Sequence, residues 1–204
     1  MQEYPSIPNI EESRKHIGDV CYVFEKLDGS NIRVEWSKKR SWFKFGTRTR
    51  LFNETDTDFG VAIPLFLSTY GTDLDNIFRK NKEYREENTF IAFAEFFGPN
   101  SFAGVHKKDD PKEVVLFDIA KKSGFISPKI LIRDFGHLKI AKLIYHGSLN
   151  GQFVADIKEG RYDVVEGVVC KNGEGENRWM VKIKTNDYLQ KLKSVFNKDW
   201  QKYA

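Results

Sequence analysis

Phe24-Glu25-Lys26-Leu27-Asp28-Gly29-Ser30-Asn31 joins a buried strand to a turn and a second strand. The run before it, Cys21-Tyr22-Val23-Phe24, is apolar, and Asp28-Gly29 is a turn signal. Beyond the turn, Ile32, Val34 and Trp36 alternate with Asn31, Arg33 and Glu35, the period of a half-buried strand. Lys26 therefore sits on rigid backbone, partly stripped of water. Desolvation disfavours an ammonium, and that is how a lysine becomes a nucleophile. Lys-x-Asp-Gly fixes only three positions and arises by chance in about one chain in ten, so its meaning depends on the rest of the chain.

Further strands follow at Ser41–Phe45, Thr89–Phe96 and Glu113–Ile119. Phe59–Phe66 and Leu74–Phe78 read as helical pieces, and 129–158 as helical and loop-rich. Val164–Lys171 and Arg178–Lys184 are strands joined by a hairpin that opens on Asn172-Gly173. After the possible N-caps Thr185 and Asn186, residues 187–203 form a basic amphipathic helix, with Leu189, Leu192, Phe196, Trp200 and Tyr203 at helical spacing. Strands broken irregularly by helices predict an α+β fold of antiparallel sheets flanked by helices. With no repeat or Pro/Gly/Ser-rich linker in 204 residues, one domain over 1–204 is expected.

No apolar run approaches a membrane span, and the N-terminus carries no secretory signal. Cys21 and Cys170 lie in apolar segments without metal spacing, which suits buried thiols in a reducing, cytoplasmic compartment. The net charge is +4, unevenly spread. Residues 36–53 hold Lys38, Lys39, Arg40, Lys44, Arg48 and Arg50 without an acid, and 182–204 hold six lysines against two aspartates. Two basic segments on an otherwise acidic chain suit a polyanionic partner. Trp36, Trp42, Phe43 and Phe45 interleave the first, although such aromatics are more often core than base platforms. His16, His106, His137 and His146 lie outside every motif and read as surface or structural groups. None of the 15 glycines precedes a lysine, so a Walker-type lysine is absent.

Three further segments carry charge where apolar residues are expected. Glu95 interrupts Phe93-Ala94-Glu95-Phe96-Phe97-Gly98, and Glu166 lies among valines in Val165-Glu166-Gly167-Val168-Val169. A buried carboxylate needs a cation, a metal or a hydroxyl. In Met180-Val181-Lys182-Ile183-Lys184 the two lysines share one strand face. Paired ammoniums can hold a phosphate and depress the pKa of a third lysine nearby.

In this order the segments resemble the covalent nucleotidyltransferase superfamily of polynucleotide ligases and mRNA capping enzymes. Lys26-Leu27-Asp28-Gly29-Ser30-Asn31 resembles its first motif, the Glu95 stretch its third, Glu166-Gly167-Val168-Val169 its fourth and Lys182-Ile183-Lys184 its fifth. Leu116-Phe117-Asp118-Ile119 is similar to the element whose aromatic stacks on the purine. Asn31 and Glu95-Phe96-Phe97-Gly98-Pro99 look most like ATP-dependent RNA ligases of the phage RNA-repair type; DNA ligases and capping enzymes usually carry Arg where Asn31 stands.

The resemblance implies a ligase-type adenylation domain using ATP and Mg²⁺ or Mn²⁺. Lys26 would attack the α-phosphorus and carry AMP, which would pass to an RNA 5′-phosphate before a 3′-hydroxyl displaces it. Phe117 would stack on adenine and Glu95 would bind ribose. Lys182 and Lys184 would grip the α-phosphate, and Glu25 and Glu166 would complete the nucleotide site. Asp28, Glu95 and Glu166 would orient a hydrated divalent ion. Arg48 would contact phosphate or the 3′ strand in preference to Arg50, and Asn31 would act in sealing. The 20 residues after Lys184 allow one helix and no OB-fold or other C-terminal domain. A partner protein, or the basic helix, would replace that module, and a monomer is expected. A DNA ligase, a GTP-using capping-type enzyme and an inactive nucleotide- or RNA-binding domain are the alternatives.

Overall fold

The computed structural model describes residues 1–203. Its strands are β1 (Val20–Lys26), β2 (Ser30–Ser37), β3 (Ser41–Thr47), β4 (Leu51–Phe52), β5 (Thr89–Phe97), β6 (Glu113–Lys121), β7 (Gly124–Phe125), β8 (Leu143–Ser148), β9 (Gly167–Asn172) and β10 (Trp179–Lys184). The α-helices are α1 (Ala62–Phe66), α2 (Thr72–Lys80), α3 (Pro128–Phe135), α4 (Gly151–Lys158) and α5 (Asn186–Phe196). Two compact units emerge. The first holds Met1–Pro5, Gly29–Ile126 and Ile130–Ile140; the second holds Ser6–Asp28, Ser127–Lys129 and the chain from Ala141 onward. Because the chain passes repeatedly between them, no linker or shift of composition marks the division.

The first unit is built on the antiparallel sheet β4-β3-β2-β5-β6-β7. The alternation read from β2 holds: Ile32, Val34 and Trp36 are buried, and Trp36 packs against Phe78 and Phe90 with centroids 5.3 and 5.8 Å away. Phe78 and Phe90 stack with centroids 4.0 Å apart. The other sheet face pairs Asn31 with Glu95 and Arg33 with Phe93. The two helical pieces expected at 59–66 and 74–78 form one run from Ala62 to Lys80, joined by a π turn at Leu67–Gly71. It starts later than expected because a turn closes first, with Gly60 N donating to Asp56 O at 2.9 Å. The π turn carries Tyr70, whose hydroxyl lies 2.6 Å from Lys139 O and accepts from Leu116 N at 3.1 Å. Burial pushes this phenol up to about 12.

The second unit is the antiparallel sheet β10-β9-β1-β8. Its core gathers Cys21, Val23, Val168, Cys170, Val181 and Ile183 with Leu149, Phe153 and Ile157. Both cysteines are buried free thiols. Asn150 caps α4 by accepting from Phe153 N at 2.9 Å.

Three expectations are corrected here. Residues 129–158 contain a strand, β8, which pairs with β1; its exposed and half-buried residues show no alternation to read. The strand expected from Val164 starts only at Gly167, since Val165 is 75 % exposed. The helix expected over 187–203 stops at Phe196, where Asn197 adopts φ +46° and turns the chain back. Trp200 and Tyr203 lie in or beside the 3-10 turn that follows, and Tyr203 stacks on Phe196 at 4.1 Å.

Candidate active site

Strand alternation arranges the candidate residues of the second unit. Cys21 and Val23 of β1 face the core, which leaves Tyr22, Phe24 and Lys26 on the other face. Register places Lys26 and Lys184 on either side of Gly167, and Phe24 and Lys182 on either side of Val169. Gly167 has φ +147°, and a Cβ there would run into Ile183 O, so glycine is required.

The residue before it, Glu166, is only 3 % exposed and is held between two lysines. Lys26 Nζ donates to its Oε2 at 3.0 Å and Lys184 Nζ lies 2.9 Å from its Oε1. Thr185 anchors this corner, donating from N to Glu166 O at 3.0 Å and from Oγ1 to Val165 O at 3.0 Å. Glu166 thus precedes β9 rather than standing on it. Lys184 also donates to Tyr203 O at 2.6 Å. Burial lowers both Lys182 and Lys184. Lys182 comes down to about 8, pushed further by Lys184 and Lys26 and opposed by Glu166. For Lys184 the pull of Glu166 works against burial without overcoming it.

Sequence reasoning missed Tyr188, which is 4 % exposed and whose hydroxyl donates to Asp28 Oδ1 at 2.9 Å. Its one signal is helical spacing from the buried Leu192. Glu25 pairs with Val168, so alternation sends its side chain away from the Lys26 face. Burial raises its carboxyl, against the pull of Lys142.

The first unit holds Asn31, Arg48, Glu95 and Phe117. Asn31 and Glu95 are cross-strand neighbours. The Asn31 Oδ1 is buried and has no hydrogen-bond partner among the described residues, as a group reserved for a ligand would be. At Gly29 an added Cβ would lie 2.5 Å from Phe96 O and 2.7 Å from Phe97 Cβ, so this turn needs its glycine for close approach to β5. Phe117 is an extra residue in β6: Phe93 pairs with Asp118 and Ala94 with Leu116. A bulge of this kind re-aims a side chain. Tyr4 supports it, edge-on to Phe117 at 5.0 Å and donating to the buried Asp118 at 2.8 Å.

Arg48 is exposed and makes no ion pair among the described residues, whereas Arg50 pairs with Asp56 and lies 5.5 Å over the Phe59 ring. His106 is satisfied, its Nε2 lying 2.8 Å from Ser30 Oγ and its Nδ1 3.3 Å from Ser101 Oγ. Burial, then Lys112, lowers its pKa, against Asp58 and Asp110.

Among the described residues, neither unit gathers three His, Cys, Asp or Glu side chains around a metal position. Asp28 and Glu166 lie in one unit and Glu95 in the other. Within their own unit Asp28 and Glu166 offer carboxylate oxygens. That chemistry fits Mg²⁺ or Mn²⁺, which keep waters and take one or two carboxylates together with substrate phosphates.

The chain has no significant sequence match among curated proteins. It is similar in structure to Naegleria gruberi RNA ligase with PPi, at TM-score 0.67, 18 % identity and 95 % coverage of this chain. Mutants of that ligase with ATP and Mn and with AMP and Mn give TM-score 0.66 at 19 % and 20 % identity, each covering 94 % of this chain. In all three cases the match spans 58 % of the solved chain, less than two thirds of its length. At that identity the likeness carries the fold. The family described as RNA ligase matches residues 19–184, from the start of β1 to the last lysine of β10. The chain belongs to the RNA ligase family.

Proposed function

We propose that residues 1–204 act as one nucleotidyltransferase domain of an ATP-dependent RNA ligase. The observation that carries this reading is the triangle of Lys26, Glu166 and Lys184, with Lys182 one row away on the same sheet face. The Lys26 Nζ lone pair attacks the ATP α-phosphorus. The bond from that phosphorus to the bridging oxygen breaks, and pyrophosphate leaves with the electron pair. Glu166 Oε2, already in hydrogen bond with Lys26, is a ready acceptor for the departing proton.

Lys182 and Lys184 hold the α-phosphate, Phe117 stacks on adenine and Glu95 takes the ribose. Asp28, Glu95 and Glu166 would hold Mg²⁺ or Mn²⁺, which when bound neutralises phosphate charge. The lysyl-AMP then passes its AMP to an RNA 5′-phosphate, releasing Lys26. A 3′-hydroxyl attacks that phosphate and expels AMP, with Asn31, whose buried carbonyl awaits a donor, acting in this step. A cytoplasmic role in RNA repair follows from the same reading. Within the described residues, no helix is long and apolar enough to cross a membrane.

Incubation with α-labelled ATP or GTP and Mg²⁺ or Mn²⁺, followed by denaturing electrophoresis, tests it. Label from ATP should stay on the protein and vanish in Lys26→Ala. An adduct with GTP alone would sink the ligase reading, and an adduct surviving Lys26→Ala would mean another nucleophile. Nicked RNA, nicked DNA and single strands then separate RNA sealing from DNA sealing.

A further inference from the structure

Tyr188 belongs to none of the motifs, yet it connects two of them. It stands in the first turn of α5, where its N donates to the capping Thr185 Oγ1 at 3.2 Å. The same threonine fixes the backbone of Val165 and Glu166. The Tyr188 hydroxyl donates to Asp28 Oδ1 at 2.9 Å, and the Lys184 ammonium lies 5.0 Å from its ring centroid. A circuit results: Asp28 to Tyr188, across the ring to Lys184, through Glu166 to Lys26.

A buried phenol needs only one acceptor, which a backbone carbonyl would supply. Here the acceptor is the carboxylate two residues from Lys26. A donor on one carboxylate oxygen fixes the plane of the group and directs the other oxygen. A ring beneath an ammonium limits where that charge can go.

We infer that Tyr188 is a positioning residue for adenylylation. Through its hydroxyl it orients Asp28 toward a divalent ion, and through its ring it holds Lys184 in place for the phosphate. This rests on the reading of Asp28 as a metal-orienting carboxylate and of Lys26 as the nucleophile.

The test titrates Mn²⁺ into the protein saturated with AMP, following free Mn²⁺ by electron paramagnetic resonance, and in parallel measures label transfer from ATP against Mn²⁺ concentration. Tyr188→Phe removes only the hydroxyl. Outer partners of metal-holding carboxylates are worth 10- to 100-fold in affinity, so its half-saturating Mn²⁺ should rise about tenfold in both measurements. Label transfer at saturating Mn²⁺ should stay near wild type. Tyr188→Leu should also slow label transfer at saturating metal, because Lys184 loses its ring. In an Asp28→Asn background Tyr188→Phe should have no further effect on Mn²⁺ binding, which a general loss of packing would not reproduce. An unchanged Mn²⁺ affinity in Tyr188→Phe, or an equal effect with and without Asp28, overturns the inference and leaves the ligase reading standing. A wild-type protein that takes no label at any Mn²⁺ concentration overturns both.

Discussion

Lys182 shows how one residue couples the site to pH. Its ammonium sits at about 8 because burial disfavours the charge and Lys184 and Lys26 repel it. In the unfolded chain it titrates near its ordinary value of about 10.5. Between those values the unfolded chain binds more protons than the folded one, so this group makes stability rise with pH from about 8 to about 10.5. Below pH 8 the cost of its buried charge is fully present. A bound polyphosphate reverses the preference by favouring the ammonium. Thermal melts across this window should rise for the wild type and flatten in Lys182→Met. Calorimetry in buffers of different ionisation enthalpy should show proton uptake on ATP binding near pH 8, and weaker binding above it. A Lys182→Met curve identical to wild type would refute this account. The lysine pair was legible because alternation on β10 fixes a shared face whatever lies around it. Tyr188 was not, since its role depends on where a helix lands after a turn. The Phe117 bulge was equally hidden, because an extra residue in a strand leaves the apolar pattern of Val114 to Ile119 unchanged.

At the scale of elements, α2 is fastened to the β2–β3 hairpin through Asp75. The buried Trp36 donates from Nε1 to Asp75 Oδ1 at 2.6 Å, Ser41 Oγ donates to the same oxygen at 3.0 Å, and Arg79 Nε donates to Oδ2 at 2.8 Å. Burial works to raise the Asp75 carboxyl, yet these bonds outweigh it and hold the group below the usual range. Such a group contributes stability that is present above its unfolded value and lost as pH falls through the folded one. Asp75→Ala also leaves the indole N–H without its acceptor, a loss of about 1–3 kcal/mol. Urea unfolding at pH 7 should show that loss, and the difference from wild type should shrink below pH 4. Equal midpoints at pH 7 would refute it. Elements with a strong period, β2 and β5 above all, were readable because one buried face dictates the pattern. β8 was not, because its residues are half-buried at best and its place comes from pairing with β1. The C-terminal helix misled for the opposite reason. Trp200 and Tyr203 keep helical spacing with Phe196, yet the left-handed Asn197 breaks the helix, and Tyr203 reaches Phe196 by folding back.

Over the whole molecule, charge decides how a polyanion is met. The basic run 36–53 does not act as one block, because its members differ in what already satisfies them. Lys44 lies 3.5 Å from Glu35, and Arg50 is committed to Asp56. Lys38, Lys39 and Arg48 make no ion pair among the described residues, and Arg40 lies over the Phe43 ring at 5.2 Å. An arginine that neutralises a phosphate releases counterions, and each such contact contributes about 0.7 to the slope of log K against log salt for a single strand. An arginine already paired within the protein releases none. Arg48→Ala should therefore weaken RNA binding and reduce the salt slope by about 0.7–1. Arg50→Ala should leave the slope near wild type. It should instead loosen the turn at 53–60, where Asp56 accepts from Phe59 N at 3.0 Å and from Asp58 N at 3.1 Å. Binding of a 5′-phosphorylated RNA oligonucleotide between 50 and 300 mM salt, with hydrogen exchange over residues 50–60, separates the two outcomes. If Arg50→Ala lowers the slope and Arg48→Ala does not, Asp56 releases its partner to RNA, and the internal pairing of this segment is no guide to where phosphate binds.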